Sequence, residues 1–336
     1  MTTGNGVDLT PEPIGTMMPV FKTIRSICVW AAAVAFFAGM AAALPGAGAT
    51  GSAESPRRFS LTEEALQALV AATQAGDHAT IDAIFGPKVK ELLSGDPKQD
   101  ALEFAQFAKL LGQFSQLVRK TDDRCELNLG DQNWPFPIPL VKRDGAWLFD
   151  TEAGKEEIVN RRIGEDELTA IGVCRTYLLA QREYASEDRT GDGVLKFAQK
   201  LRSSPDHKDG LYWPETSGEE PSPFGPLIAE VHAEGYGGKT AEGKPQPFHG
   251  YLFKVLTAQG PSAPGGAYSY VINGNMIAGF ALVAYPEHWG ESGVMTFVVN
   301  QWGKVYERNL GPASADHAAA MTEFDPDQDW TVVKMP

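Results

Sequence analysis

GYLFKVLTAQGPSAPGGAYSYVINGNMIAGFALVAYPEHWGESGVMTFVVNQWGKVYERNLG, residues Gly250 to Gly311, decides the fold. Tyr251, Phe253 and Val255 alternate with Leu252, Lys254 and Leu256, a period of two built from residues that suit a pleated surface. Ala267 to Ile272 repeats the pattern and meets Asn273-Gly274. Both of those residues tolerate positive φ, as a type I′ hairpin turn requires. Met276 to Tyr285 is almost continuously apolar and carries Gly279, so it reads as a buried strand with a bulge. Pro286 ends it for want of a ladder donor. Val294 to Val299 is a further strand, Asn300 to Gly303 a turn, and Lys304 to Arg308 a polar edge strand. Gly260-Pro261 and Pro264-Gly265-Gly266 mark a loop. A phosphate cradle needs glycines that lead into a helix N-terminus; these lead into a strand, so their role is structural.

The 336 residues suffice for about two domains. Hydrophobic residues make up 43%, enough to fill cores, and the net charge is -14, from 29 Lys plus Arg and 43 Asp plus Glu. An acidic surface does not neutralise phosphates, so nucleic acid is not an expected partner. Lys22 and Arg25 precede the apolar run Ile27 to Leu44, then come Pro45 and Ala47-Gly48-Ala49. This is the pattern of a secretory signal. Residues 1–49 are therefore expected to be leader and signal peptide, with the mature chain starting at Thr50, or following cleavage at Ala43. The rival reading is an uncleaved membrane anchor. The expected location is periplasmic or secreted, with no stable membrane span after cleavage and with an unknown envelope or secreted partner.

Upstream of the sheet the pattern is helical. Leu66, Leu69 and Val70 follow a start at Ser60 or Thr62, with Ala75-Gly76-Asp77 as the stop. Segments from His78 to Phe85, Pro87 to Leu93 and Ala101 to Phe114 follow, the last with a Phe104, Phe107, Leu110, Leu111, Phe114 stripe. Cys125 to Leu129 alternates, Trp134 to Leu140 is extended by its prolines, and Asp144-Gly145 is a hairpin signal before Ala146 to Asp150. From Gly154 to Ala185 an amphipathic helical pattern is interrupted by Gly164, which predicts two helices, the second from Glu165 to Tyr184. Val194 to Arg202 and Pro223 to Glu234 predict short helices, Gly235 to Pro247 a linker, Ala313 to Thr322 a helix and Trp330 to Val333 a last strand. The fold class is α+β: a cone-like helix-plus-sheet domain over residues 59–150, then a helix-packed antiparallel β-meander domain over residues 165–336.

Phe59 to Asp150 resembles the nuclear-transport-factor-2-like (SnoaL-like) cone, which implies a small-ligand pocket or a dimer, with Trp134, Trp147 and Phe107 as lining or core. The later half is similar to the heads of type IV pilins, through Ala180-Gln181 and Tyr184 on a long helix and Gly303-Lys304-Val305-Tyr306 at the sheet end. More specific are RTYLLAQREYASED, GDGVLKFAQK, DGLYWPE, PFGPLIAE, the Gly250 to Gly311 stretch and FDPDQDW. Through these the chain resembles the bacterial family called domain of unknown function 2950, which implies an architecture and export but no mechanism.

Candidate chemistry is sparse. Asp188, Thr190 and Asp192, before Gly193, resemble the start of a calcium loop; Gln199 stands where a bidentate Glu belongs, and a self-capped turn is the alternative. Cys125 and Cys174 either form one disulfide or stay buried thiols. There is no C-x-x-C and no Gly-x-Ser-x-Gly elbow, and the histidines lack metal-pair spacing. Glu287-His288-Trp289 with Glu291 sits in a loop at a strand end. Tyr212 and Trp213 suggest an exposed aromatic binding surface. The residues favour a non-catalytic exported binding module, with no cofactor beyond the calcium candidate. The competing reading is an exported hydrolase whose site assembles only in the fold. A cleft lined by pKa-shifted carboxylates would favour the hydrolase.

Overall fold

The computed structural model describes residues 55–214, 220–228 and 246–334. The expected leader and most of the Gly235 to Pro247 linker lie outside them, as does the end of the Pro223 to Glu234 helix; residues 225–228 are helical.

The first half opens with helices α1 (Thr62–Ala75) and α2 (His78–Phe85), a 3-10 turn over Pro87–Leu92, and α3 (Pro97–Gln113). No hydroxyl caps α1; the Glu64 carboxylate instead reaches back to the Ser60 and Leu61 amides, satisfying donors the helix leaves open. Gly76 closes α1 at φ 64. The strands β1 (Ser115–Thr121), β2 (Arg124–Leu129), β3 (Trp134–Pro135), β4 (Leu140–Arg143) and β5 (Ala146–Phe149) form one antiparallel sheet in the order β1-β2-β4-β5, with β3 on β2. Asp144 and Gly145 take φ 51 and 79 and make the β4–β5 hairpin that their dipeptide predicts. Phe107, Leu127, Phe136 and Phe149 meet in the first core.

One helix, α4 (Thr151–Tyr184), runs through the position where Gly164 predicts a break. A mid-helix glycine costs only about 1 kcal/mol, and the helix is held from both ends. Ile158 belongs to the first core; Ala170, Cys174 and Tyr177 belong to the second. The two halves therefore share a rigid rod rather than a linker.

In the second half β6 (Tyr251–Leu256), β11 (Ala281–Pro286), β12 (Thr296–Asn300), β13 (Val305–Arg308) and β15 (Thr331–Val332) form an antiparallel sheet ordered β15-β13-β12-β11-β6. The strand expected at the edge, β13, is covered by β15 through Tyr306↔Val332. Short strands β7 (Ala258–Gln259), β8 (Tyr268–Ser269) and β14 (Glu323–Phe324) make a second sheet, and β9 (Val271–Ile272) with β10 (Asn275–Met276) the predicted hairpin, its Asn273 and Gly274 at φ 49 and 82. Helix α5 (Ser314–Ala320) packs on β11. The apolar run from Met276 to Tyr285 is not one strand: the Ile277 and Ala278 amides both donate to the Tyr270 carbonyl, and the chain turns before β11. The Val194 to Arg202 helix does not form either. That segment is extended, bridging Met276 through Phe197, because the buried Gln181 side chain occupies the backbone groups of Ala198 that a helix would use.

Candidate functional site

The structure buries its most unusual polar cluster where α3 meets the middle of α4. Asp166 is 0% exposed and accepts from Gln99 Nε2 over 2.9 Å through Oδ1. Its Oδ2 has no hydrogen-bond partner in the structure. Arg162, one turn earlier on α4, donates to the Leu92 carbonyl and lies 4.0 Å from Glu103 Oε1. Asp100 accepts from the Ser94 amide and hydroxyl at 2.9 and 2.6 Å. From the second half, His249 Nδ1 comes to 3.9 Å of Asp166 Oδ1. Gly250 makes this approach feasible. A Cβ there would sit 2.4 Å from the Ser292 Cβ and 3.2 Å from Asp166 Oδ2, and the residue holds φ 67. Ser292 Oγ donates to the Gly250 carbonyl at 2.9 Å, and Glu167 accepts from the Val294 and Met295 amides at 3.0 and 2.9 Å.

Burial raises Asp100, Glu103 and Asp166, three of the carboxyls that α3 and α4 bring together. Desolvation lifts Glu103 to about 7, helped by Glu165 and Asp100 and opposed by Arg162 and Gln99. Desolvation, then the charges of Glu103 and Glu165, push Asp166 well above the ordinary carboxylate range against Arg162 and Gln99. Asp100 is raised by desolvation against its Ser94 bonds. No spacing in the sequence marks this cluster: Gln99 and Asp166 are brought together only by the packing of α3 on α4.

A separate opening of about 610 Å³ lies at the N-terminal end of α4. Phe85, Pro87 and Leu148 are among its apolar lining residues. Its charged residues stand in pairs: Arg58 with Asp144 at 3.4 Å, Lys88 with Glu152, and Arg143 with Asp150. Thr151 donates to the Phe85 carbonyl at 2.7 Å and Asp150 accepts from the Ala153 amide, so the helix start is already capped.

The residues singled out in the sequence lie elsewhere. Tyr212 and Trp213 are not an exposed aromatic surface. Trp213 is 4% exposed, its indole donates to the Glu220 carbonyl, and Arg189 and Lys208 lie over its ring; Tyr212 packs on the second core beneath Arg202. A cation over the face of an aromatic ring is attracted by the ring's quadrupole. Cys125 and Cys174 are free buried thiols in the first and second cores and form no disulfide here. Asp188 spends its carboxylate on the Thr190, Gly191 and Gly193 amides, and Asp192 pairs with Lys196. Thr190 lies in that self-capped turn, its hydroxyl directed to Asp188. Among the described residues no group of three or more His, Cys, Asp and Glu is placed to hold a metal ion. Glu287 and His288 are exposed, 3.9 Å apart. Phe107 and Trp147 are core, and Trp134 packs against it under Arg161. The glycine-rich loop after Gln259 is tied by Gln259 to the Pro264 and Gly266 carbonyls, and Asp325 takes its Ser262 and Ala263 amides.

These features define an α+β protein: two cores on one shared helix, a buried acidic joint and a separate charged opening. The chain belongs to the family described as Protein of unknown function (DUF2950), whose model matches residues 56–333. No curated protein and no solved structure matches it. Among the described residues no helix is long and apolar enough to cross a membrane.

Proposed function

We propose that this chain is an exported, non-catalytic module of the envelope or the secreted fraction, and that it binds its ligand in the opening at the start of α4. One observation carries the reading: the opening and the pKa-shifted acids have no residue in common. The opening has apolar lining and accessible charges of both signs, the composition of a binding seat. The acids that could move protons, Glu103 and Asp166, are turned into the joint and held by Gln99 and Arg162. The charged pattern fits a small ligand that itself carries both signs, such as a short peptide.

The hydrolase reading draws on Glu103, which sits at about 7, a value suited to general acid catalysis. The two readings separate in one experiment. Amide spectra of the purified chain are followed during titration with a Gly-Asp-Lys tripeptide, in the wild type and in Leu148→Arg. Saturable shifts at Arg58, Lys88 and Glu152, lost in Leu148→Arg, support the binding seat. Cleavage of the peptide that vanishes in Glu103→Gln overturns it. Export has its own measurement: N-terminal sequencing of the protein from the periplasmic and culture fractions is expected to begin at Thr50.

A further inference from the structure

The buried joint is a site in its own right, independent of the opening. Four carboxyls converge on it: Asp100 and Glu103 from α3, Glu165 and Asp166 from α4. Arg162 of α4 is the guanidinium among them, and His249 approaches from the turn that leads into β6. Asp96, before α3, adds a further negative charge near Asp100. Glu167, next on α4, is turned to the Val294 and Met295 amides, and Tyr251 lies within electrostatic reach of it and of Asp166. The remaining groups packed around the joint are neutral: Gln99, Ser94, the Leu92 carbonyl and the Ser292 hydroxyl behind Gly250. Fully ionised, four carboxylates would share one guanidinium around the buried Asp166. Two of their oxygens, Asp166 Oδ2 and Glu103 Oε2, are buried with no donor directed at them. An ionised oxygen in that position is costly, and a carboxylic acid supplies the missing donor itself.

We propose that the joint between α3, α4 and the His249–Gly250 turn is a proton-binding site, and that losing the proton loosens α3 and the turn from α4. The bound species is the proton itself, taken up by Glu103 or Asp166. The elements it holds come from both halves of the chain, so its release acts on their mutual attachment rather than on one loop. Burial lifts the Glu103 carboxyl to about 7 and raises Asp166, and the Glu103 value lies within reach of ordinary changes of environment.

Hydrogen exchange of the full mature chain between pH 5.5 and 8.5, corrected for intrinsic rates, tests this. In the wild type, protection of residues 97–105 and 246–250 is expected to fall at least tenfold across that range, while β11 and β12 stay unchanged. Glu103→Gln, which keeps the shape and carries a permanent donor, is expected to abolish most of that pH dependence. Equal pH dependence in wild type and Glu103→Gln, or none in either, overturns the proposal. So does a pH dependence that added calcium removes, since the joint would then be a cation site. Should the variant fail to fold, carboxyl carbon titration of the wild type decides. Midpoints near neutrality for Glu103 or Asp166 support the site, and midpoints below 5 for both refute it.

Discussion

Gln181 grips Ala198 by both ends of its amide: Nε2 donates to the Ala198 carbonyl over 2.8 Å, and Oε1 accepts from the Ala198 amide over 2.8 Å. The same Nε2 reaches the Tyr177 hydroxyl, which donates to the Ala281 carbonyl. A side chain on the shared helix thus stands in for a neighbouring strand, and fastens residues 194–199 across the second core. Gln181→Ala strips partners from buried backbone groups, so it is expected to lower stability by about 2–4 kcal/mol. Gln181→Glu keeps the acceptor, loses the donor and adds a buried charge, and is expected to cost at least as much. Urea unfolding followed by tryptophan fluorescence measures both.

Two glycines should respond with opposite sign. Gly164 lies mid-helix with open space where a Cβ would go, so Gly164→Ala is expected to stabilise by about 0.5–1 kcal/mol. Gly250 holds φ 67 against the Ser292 side chain, so Gly250→Ala is expected to destabilise by more than about 2 kcal/mol. Differential scanning of the two variants beside the wild type checks the contrast.

The thiols give a chemical test. Burial pushes Cys174 up to about 12 and raises Cys125, the latter against the pull of Arg119. Thiolates react, thiols do not. At pH 8 a thiol-specific reagent is expected to leave Cys125 and Cys174 of the folded protein almost unlabelled, and to label both together once the protein unfolds. Mass spectrometry of a non-reduced sample, denatured in the reagent, counts them directly.

Stability should pass through a maximum in mildly acidic solution. Glu103 is raised from 4.5 to about 7 by desolvation, so its favourable contribution is complete below about 4.5 and is lost as pH climbs through 7. The effect is on the order of 3 kcal/mol. Asp209 behaves oppositely. Desolvation lifts it, yet Lys200 and the Ser204 amide and hydroxyl bring it down to about 2. Its contribution is present above 3.8 and is lost as pH falls toward 2. The melting temperature is expected to rise from pH 8 to pH 5 and to fall from pH 4 to pH 2; Glu103→Gln should flatten the first limb and leave the second.

Sequence by itself determined the elements whose physics is local. Asn273-Gly274 and Asp144-Gly145 made their hairpins because both residues of each pair accept positive φ. The alternation of Tyr251 to Leu256 and the apolar run Val294 to Val299 marked strands that pair on either side of β11, and Gly76 fixed a helix end. Tertiary structure alone decided what depends on distant partners. It carried α4 through Gly164 by packing that rod into two cores, and gave residues 194–202 an extended course through Gln181. It drew Trp213 inward under Arg189 and Lys208, and closed Gln99, Glu103 and Asp166 together, 67 residues apart in the Gln99–Asp166 bond. Periodicity records only which face of an element is apolar. Which polar groups are then trapped between two such faces, and at what cost to their ionisation, is settled when the faces meet.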